Sequence, residues 1–296
     1  MRNRLILAHG INNFLFNQFR FFGSRKIGRF ISKLLLPPLS DIAKVPTIYN
    51  FDMFVNANGG KEIYNLGFYE VGTINVIQQC LLPTDNFVDV GASIGLMSLV
   101  ASKKCSRGMI LAFEPQKERF EILKKNVELN DCKNIQAFNN GLGENNEQLQ
   151  LHTDIFSPSI VDVENSNGNH ELIDILVLDE VLENKGINTI KFIKIDVEGF
   201  ELNVLKGARS ILSKKDAPII CVEYVKRLQS LNQGDVSMVD FIKSINDYRL
   251  FQLEKSSNSK SKLLEVSKEE DLRDCDNIYC FLDYHIQNLN FDKLFK

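Results

Sequence analysis

Long apolar runs and paired cysteines are both missing from this 296-residue chain. No segment reaches the roughly 18–20 apolar residues that a membrane-spanning helix needs. The opening stretch MRNRLILAHGINNF has a four-residue apolar run, which makes a poor secretory signal peptide. The six cysteines form no Cys-x-x-Cys pair and match no zinc spacing. These absences predict a cytoplasmic protein without a membrane span, a metal site of the zinc type or a disulfide framework.

Charge and size narrow the class further. A net charge of −3 predicts no general affinity for nucleic acid. Because 44% of the residues are hydrophobic, the chain can bury a substantial core. The length suits one large α/β domain with an extension, or two small domains.

The first 40 residues contain no acidic residue. They contain seven basic ones: Arg2, Arg4, Arg20, Arg25, Lys26, Arg29 and Lys33. Five apolar residues follow the spacing of one helix face, namely Ile27, Phe30, Ile31, Leu34 and Leu35. Pro37 and Pro38 end that helix. We therefore predict a basic amphipathic helical arm over residues 1–46.

Three interpretations of this arm stay open. Its helix packs on the main domain or on a second subunit, it lies through residues 20–36 on an anionic membrane surface, or the arm is disordered. The sequence does not decide among them, and it does not determine the oligomeric state.

From residue 84 onward, short apolar strands alternate with helices. The predicted strands are 86–90, 109–113, 134–139, 173–178, 190–195 and 218–224. The predicted helices between them are 94–104, 116–130, 179–184 and 200–214, and Gly141 and Gly143 open a polar hairpin. This alternation predicts an α/β fold with a doubly wound, mostly parallel sheet and helices on both faces. In such sheets the ligand lies beyond the carboxyl ends of the strands, where the winding reverses.

Less regular segments flank this core. A hairpin that turns at Asn58-Gly59-Gly60 is predicted over residues 47–70, and a helix over 71–82 follows it. A long loop is predicted over 154–171. A helix near 237–247 precedes strands near 249–254 and 277–284, which suggest a terminal antiparallel hairpin around a polar loop. The predicted main domain, residues 47–296, therefore has a lead-in (47–83), a cofactor-binding core (84–225) and a tail (226–296).

The stretch FVDVGASIG (87–95) has the form of a strand that leads into a cofactor-binding turn. An NAD site would have glycines at 91, 93 and 96, but the chain has Ser93 and Leu96, and a P-loop lysine is absent. The S-adenosylmethionine turn, acid-x-Gly-x-Gly-x-Gly, matches better through Asp89, Gly91 and Gly95. The next strand ends in Glu114, an acid that can accept hydrogen bonds from both hydroxyls of a ribose.

A second group of acids follows a later strand, in IKIDVEGFE. Asp196, Glu198 and Glu201 come just beyond that strand, and Glu223 ends the next one. They are structural caps or ion-pair partners of Lys194, Lys206 or Arg209, or they bind a methionyl amine and deprotonate a substrate hydroxyl, or three of them ligate a divalent cation. Glu201, one turn into a helix, best fits a cap.

These stretches resemble one known family. GFYE (67–70), FVDVGASIG, AFEP (112–115), LDE (178–180), IKIDVEGFELNVLKGA (193–208) and IICVE (219–223) occur in the order and rough spacing of FkbM-type methyltransferases. The resemblance covers about residues 60–225, and its most specific part is the DVEGFE run. Where the family often has Asn, this chain has Ser93, which can still form a hydrogen bond near the turn.

The resemblance implies a class I methyltransferase that uses S-adenosylmethionine, usually to methylate a hydroxyl oxygen of a sugar, polyketide, glycan or similar acceptor. Carried over by position, the cofactor-binding residues are Glu70, Asp89, Gly91, Ala92, Ser93, Gly95, Glu114, Pro115 and Asp196. For catalysis we expect Glu198 or Glu223 to act as the base and Asp196 to orient the cofactor or substrate, and we assign no metal. The alternatives are a non-catalytic scaffold with this fold, and a dehydrogenase.

Overall fold

The computed structural model describes residues 1–17, 24–39, 41–153, 169–231, 236–255, 260–289 and 291–296. Its strands are β1 Ala43–Pro46, β2 Asp52–Val55, β3 Phe87–Val90, β4 Ile110–Phe113, β5 Ile135–Phe138, β6 Gly141–Leu142, β7 Glu147–His152, β8 His170–Leu176, β9 Phe192–Ile195, β10 Ile219–Tyr224, β11 Arg249–Leu253, β12 Leu263–Val266 and β13 Asp276–Phe281. Its α-helices are α1 Arg2–Asn17, α2 Ser24–Leu35, α3 Lys61–Leu66, α4 Val71–Cys80, α5 Leu96–Lys104, α6 Lys117–Leu129, α7 Leu178–Asn184, α8 Glu201–Lys206, α9 Arg209–Leu212, α10 Lys226–Leu231, α11 Met238–Ile245, α12 Asp283–Asn288 and α13 Phe291–Leu294.

An eight-stranded sheet, in the order β12-β11-β13-β10-β9-β3-β4-β5, forms the centre of the fold. Strands β10, β9, β3, β4 and β5 pair in parallel, whereas β13 is antiparallel to both of its neighbours. The chain builds outward from β3 through β4 to β5 and then crosses back to β9 on the other side of β3. The predicted doubly wound, mostly parallel α/β fold is confirmed, and the winding reverses between β3 and β9.

Both faces of the central strands are covered, so β3, β4 and β9 are buried along their whole length. Alternate residues face opposite sides: Phe87 and Phe192 stack at 5.7 Å on one face, whereas Val88 and Ile193 belong to the core on the other. All six cysteines are free thiols. Among the described residues, no helix is both long enough and apolar enough to cross a membrane.

The predicted turn at Asn58-Gly59-Gly60 is wrong. The hairpin lies earlier, where β1 pairs with β2 and the Thr47 N–H donates to the Phe51 carbonyl at 2.9 Å. Gly60 instead precedes α3 with φ of +90°. Residues that tolerate positive φ suit a helix start as well as a hairpin turn, so this signal alone was ambiguous.

Two predicted elements of the second half are organised differently. The first is the polar hairpin predicted to open at Gly141 and Gly143. Its strands β6 and β7 do not pair with each other, because both pair with β8 in a separate sheet ordered β6-β8-β7. The predicted helix 200–214 is two helices, α8 and α9. It breaks because the Gly207 carbonyl accepts from the Asp179 N–H, and the Asp179 carboxylate then accepts from the first N–H groups of α9, those of Ser210 and Ile211.

The C-terminal region contains more structure than predicted. Strands β11 and β13 are antiparallel neighbours as expected, but β12, inside the predicted polar loop, is the hairpin partner of β11. The helices α10, α12 and α13 are also additional to the prediction. Of the predicted loop 154–171, residues 154–168 lie outside the described residues.

The N-terminal arm packs on the main domain through a mixed face, in which Leu5 and Ala8 join the core beside buried polar residues. The buried side of α1 carries His9, whose ring contacts the carbonyls of Pro46 and Tyr64, and Asn12, which donates to the Ser32 hydroxyl of α2 at 3.0 Å. Burial lowers the pKa of His9. The predicted apolar face of α2 is divided: Phe30 and Leu34 point outward at 62% and 71% exposed, whereas Leu35 packs against the core. The division of the chain at residue 46 stays a prediction, and it falls at the end of β1, inside the hairpin with β2.

Candidate active site

A cavity of about 770 Å³ lies beyond the carboxyl ends of β3, β4, β9 and β10, at the point where the winding reverses. Ten of the eleven residues predicted for the site line it, namely Glu70, Asp89, Gly91, Ala92, Ser93, Glu114, Pro115, Asp196, Glu198 and Glu223. The eleventh, Gly95, begins the adjacent helix α5. The structure therefore brings together side chains that lie up to 153 positions apart, from Glu70 to Glu223.

The turn after β3 depends on close backbone approach. Gly91 has φ of +77°, and a Cβ placed there would lie 1.9 Å from the Asp196 carbonyl oxygen. Its N–H and that of Ala92 both donate to the Phe113 carbonyl, which ties the turn to β4. Gly95, at φ of +91°, then begins α5. A glycine is required at 91 because any side chain would separate β3 from the end of β9.

Ser93 and Glu114 are joined across this turn. Ser93 adopts a positive φ of 50°, and its N–H donates to Glu114 Oε2 at 2.8 Å. The Gln116 N–H donates to Glu114 Oε1 at 2.9 Å. Burial raises the pKa of Glu114 to about 7, although Arg119 and these N–H groups act in the opposite direction. Each carboxylate oxygen has a second lone pair, so both can accept another hydrogen bond.

Asp89 is held at the end of β3 with one oxygen free to accept. The side chain is 1% exposed, and the Ser98 hydroxyl donates to its Oδ2 at 2.5 Å. Its Oδ1 is buried and accepts no hydrogen bond from any described residue. Burial raises the pKa of Asp89, and Lys194 and Ser98 partly offset this effect.

A buried lysine lies beneath the acids. Lys194 Nζ contacts Asp196 Oδ2 at 2.7 Å, and its side chain is only 4% exposed. Asp89 is its partner in the β3–β9 register. Burial alone lowers the pKa of Lys194, but Asp196, Glu70 and Asp89 outweigh it and hold the pKa well above its usual value. Lys194 is therefore a fixed positive charge under the cavity.

Glu70, at the start of α4, also interacts with the positive charge of Lys194. It begins α4 with a positive φ of 42°, and its Oε2 is buried without a partner among the described residues. Burial raises its pKa, whereas Lys194 lowers it. A left-handed glutamate is strained, so this backbone position is imposed by the surrounding structure.

The carboxylates of Asp196, Glu198 and Glu223 form one cluster, with an oxygen of each within 4.8 Å of the others. Glu198 lies at φ of +53°. Burial, followed by the neighbouring acids Asp196 and Glu198, raises the pKa of Glu223 to about 9. Its Oε2 accepts no hydrogen bond from any described residue. Glu223 is therefore the acid of the cluster that holds a proton near neutral pH in the ligand-free chain.

Glu201 and Lys206 have structural contacts outside the cluster. Glu201 Oε1 accepts from the Gly199 N–H at 3.0 Å and the Val197 N–H at 3.3 Å, which caps the start of α8. Lys206 contacts Glu144 at 3.1 Å rather than the cluster. Of the three proposed interpretations of the acids, the structural one thus fits Glu201 directly.

Sequence reasoning missed several polar groups of the cavity. Tyr69, Gln116 and Arg119 line it, and Gln116 Oε1 and Arg119 Nε are buried without partners among the described residues. The role of Lys194 carried a usable signal, because a charged residue in an otherwise apolar four-residue strand shares a face with Asp196 two positions on. For Gln116 and Arg119 the sequence gives no such signal, because both lie at the start of a helix whose pattern predicts exposed residues.

The cavity fits a ligand that carries both a positive charge and hydroxyl groups. Buried acceptor oxygens of Glu70, Asp89 and Glu223 lack donors among the described residues, and acceptors of this kind need donors to offset their burial. The glycine turn lets such a ligand approach the backbone of β3. S-adenosylmethionine has an ammonium, a sulfonium and ribose hydroxyls, so these residues fit it.

The sheet order, with its antiparallel β13, and this cavity define a class I methyltransferase fold. The methyltransferase FkbM domain matches residues 89–251, which is more than half of the chain. The chain belongs to the FkbM methyltransferase family, and S-adenosylmethionine is its cofactor.

Three relatives show similar levels of identity. The chain is 29% identical over 147 residues to Methyltransferase 1 of Beauveria bassiana, covering 42% of this chain and 59% of that protein. It is 29% identical over 180 residues to Methyltransferase sdnD of Sordaria araneosa, covering 50% and 66%. It is 29% identical over 139 residues to hexuronic acid methyltransferase AglP of Haloferax volcanii, covering 45% and 53%. The chain thus spans between about half and two thirds of the length of these relatives.

Replacing Gly91 by Ala tests the turn, and Gly186 supplies a matched control. Gly186 also has a positive φ, of 64°, but a Cβ there meets nothing within 4 Å. Gly186→Ala should lower the free energy of unfolding by about 1–2 kcal/mol, the cost of the backbone conformation. Gly91→Ala should cost at least about 2 kcal/mol more, because the Asp196 carbonyl must move. Urea unfolding measures both, and equal losses would contradict the close approach.

Buried acids make the stability of the ligand-free chain depend on pH. Burial raises the pKa of Glu114 and Glu201 to about 7 and that of Glu223 to about 9. Because these values exceed those of an unfolded chain, the stabilisation is complete below about pH 4.5 and is lost as the pH rises through the folded pKa values. The melting temperature should fall between about pH 6 and pH 9.

Thermal melts at constant ionic strength measure this slope. Glu223→Gln should flatten the fall above about pH 8, since an amide has no proton to lose. A melting temperature that stays constant or rises over the range, or a Glu223→Gln variant with the wild-type slope, would show that these acids are not protonated in the folded chain.

Proposed function

We propose that this chain transfers the methyl group of S-adenosylmethionine to a hydroxyl oxygen of a sugar, a glycan or another small metabolite. The observation that carries the proposal is the carboxylate cluster of Asp196, Glu198 and Glu223, which lies beside the glycine turn in the same cavity. A hydroxyl is a poor nucleophile until a base takes its proton, and a carboxylate in this position supplies that base.

In this proposal the cofactor is held by the ends of β3 and β4 and by the start of α4. Glu114 accepts the ribose hydroxyls with the lone pairs left over from its two backbone N–H contacts. Asp89 and Glu70 offer their unpartnered oxygens, and Gly91, Ala92, Ser93, Gly95 and Pro115 form the surface that the cofactor contacts. When bound, S-adenosylmethionine supplies an activated methyl group, so the protein contributes orientation and exclusion of water.

The three clustered acids then have different roles. Lys194 fixes Asp196, which orients the cofactor or the acceptor. Burial and the neighbouring acids raise the pKa of Glu223 to about 9 in the ligand-free chain. The positive charge of bound S-adenosylmethionine lowers this pKa, so Glu223 stays the alternative base. We assign the role of base to Glu198, which lies beside it.

A sugar acceptor is supported by one relative, which is named a hexuronic acid methyltransferase. A uronic acid offers two kinds of oxygen, a hydroxyl and a carboxylate, and the cluster favours the hydroxyl. A carboxylate acceptor is already ionised and would be repelled by a base that carries a negative charge, whereas a hydroxyl can donate its proton to that base.

The product decides between these two oxygens. The chain should be incubated with isotopically labelled S-adenosylmethionine and a panel of neutral sugars, uronic acids and hydroxylated lipids or polyketides. Label in an ether survives mild alkali, whereas label in a methyl ester is released as methanol. Alkali-stable label is expected. Alkali-labile label would overturn the hydroxyl proposal, and failure to bind S-adenosylmethionine in calorimetry at millimolar concentration would favour the non-catalytic scaffold.

Glu198→Gln removes the base and keeps the shape of the side chain. Turnover should fall by about 100-fold or more, while the affinity for S-adenosylmethionine stays near that of the wild type. Glu128→Gln, at an exposed position of α6 outside the cavity, is the matched control and should leave both unchanged. Wild-type turnover in Glu198→Gln would contradict the assignment.

The same cluster has the ligand type that a divalent cation prefers, and our proposal uses no metal. Turnover in excess EDTA separates the two mechanisms. Full activity is expected, and a loss that Mg²⁺ or Mn²⁺ restores would transfer the role of the carboxylates from base to metal ligands.

A further inference from the structure

We propose that the exposed apolar face of α1 and α2 docks the protein on an anionic lipid membrane surface. The inference does not depend on which acceptor the cavity binds. It follows from three observations on the described part of the arm: which side of each helix is buried, which residues remain exposed, and where the charges lie.

Helix α2 packs on the main domain through the side that carries its small and polar residues. Gly28 and Ser32 are buried, and the Ser32 hydroxyl contacts the Asn65 carbonyl at the end of α3. The opposite side is apolar and exposed: Ile27 is 41% exposed, Phe30 62% and Leu34 71%. Three large apolar residues in one stripe of a helix are rare on the surface of a water-soluble protein. The stripe therefore marks an interaction surface.

A basic stripe runs beside the apolar one. Lys26, Arg29 and Lys33 each precede an apolar residue of the stripe by one position, which separates the two stripes by about 100° around the helix. Lys26 and Lys33 are exposed and form no ion pair with the described residues, whereas Arg29 contacts Glu62 at 2.7 Å. Apolar residues flanked by lysines on a short helix are the pattern of helices that lie in a membrane interface.

Helix α1 extends the same surface. Its buried side carries Leu5, Ala8 and Asn12, and its outer side carries Ile6 and Leu7, which are 52% and 54% exposed. The two helices contact each other through Asn12 and Ser32. Ile6 and Leu7 therefore add exposed apolar area on the helix next to α2.

Charge identifies the partner as an anionic membrane rather than a second copy. Glu62 pairs with Arg29, but Lys26 and Lys33 form no ion pair with the described residues, so two copies that met through this face would bring these lysines together. An anionic lipid surface attracts the same lysines, by about 1 kcal/mol for each basic residue near the headgroups. Apolar residues and lysines then bind the same partner.

The docking surface adjoins the cavity. Glu62, the partner of Arg29, lines the cavity, and Lys61 at the start of α3 does so too. A protein bound through α2 therefore holds its cavity close to the bilayer. This position suits an acceptor carried at the membrane surface, although docking does not require one.

Flotation of the full chain with vesicles tests the inference. Vesicles of phosphatidylcholine alone are compared with vesicles that contain about 30 mol% phosphatidylserine. The wild type should float with the anionic vesicles at least about tenfold more than with the neutral ones, and high salt should weaken this binding. Phe30→Glu/Leu34→Glu should abolish it, and Lys26→Gln/Lys33→Gln should weaken it by about 10- to 30-fold.

Matched controls isolate the surface. Leu82→Glu changes an apolar residue that is 62% exposed elsewhere, and Lys104→Gln/Lys125→Gln removes two exposed lysines from α5 and α6. Both should float like the wild type. Unchanged thermal melting and S-adenosylmethionine binding in the arm variants show that the fold and the cofactor site are intact, so a failure here leaves the proposed function standing.

Two outcomes would overturn the inference. One is equal flotation with neutral and anionic vesicles. The other is a chain that sediments as a dimer without lipid, becomes a monomer in Phe30→Glu/Leu34→Glu, and binds no vesicles in either form, which would make the surface an interface between copies.

Discussion

The ion pair between Lys194 and Asp196, under the point where the sheet reverses its winding, is the interaction on which the site depends. Lys194 is buried, so its charge needs a partner, and removing one member of such a pair typically costs about 3–5 kcal/mol. The pair also joins the end of β9 to Asp89, its partner on β3, and to Glu70 at the start of α4. One positive charge thus holds together acids from three separate elements.

That charge does not balance all the acids around it. Asp89, Glu70 and Glu223 keep unpartnered buried oxygens, and burial raises the pKa of each. In the proposed function, the positive charge of the cofactor offsets this excess of buried acids. Glu70 and Glu198, which border the same cavity, both have a positive φ, and backbone strain of this kind clusters at functional sites.

Much of the fold could be predicted, because a buried parallel strand and an amphipathic helix each leave a local pattern. For β3, β4, β5, β9 and β10, each predicted end lies within two residues of the observed end. The errors fall where one local signal suits two structures. Asn58-Gly59-Gly60 precedes a helix instead of forming the turn of a hairpin. The predicted helix 200–214 is divided at Gly207, because the Gly207 carbonyl accepts a hydrogen bond from the Asp179 N–H.

The sequence by itself determined the fold class, the predicted cofactor turn at Asp89–Gly95 and the acids at 196–201. Each of these follows from a local pattern of residues that are close together in the chain. Tertiary structure decided what those residues meet: the register that sets Asp89 beside Lys194, the oxygens that lack donors, and the outward direction of Phe30 and Leu34. Periodicity shows which residues share a face of a helix or strand. It does not show what packs against that face, because that depends on elements far away in the chain.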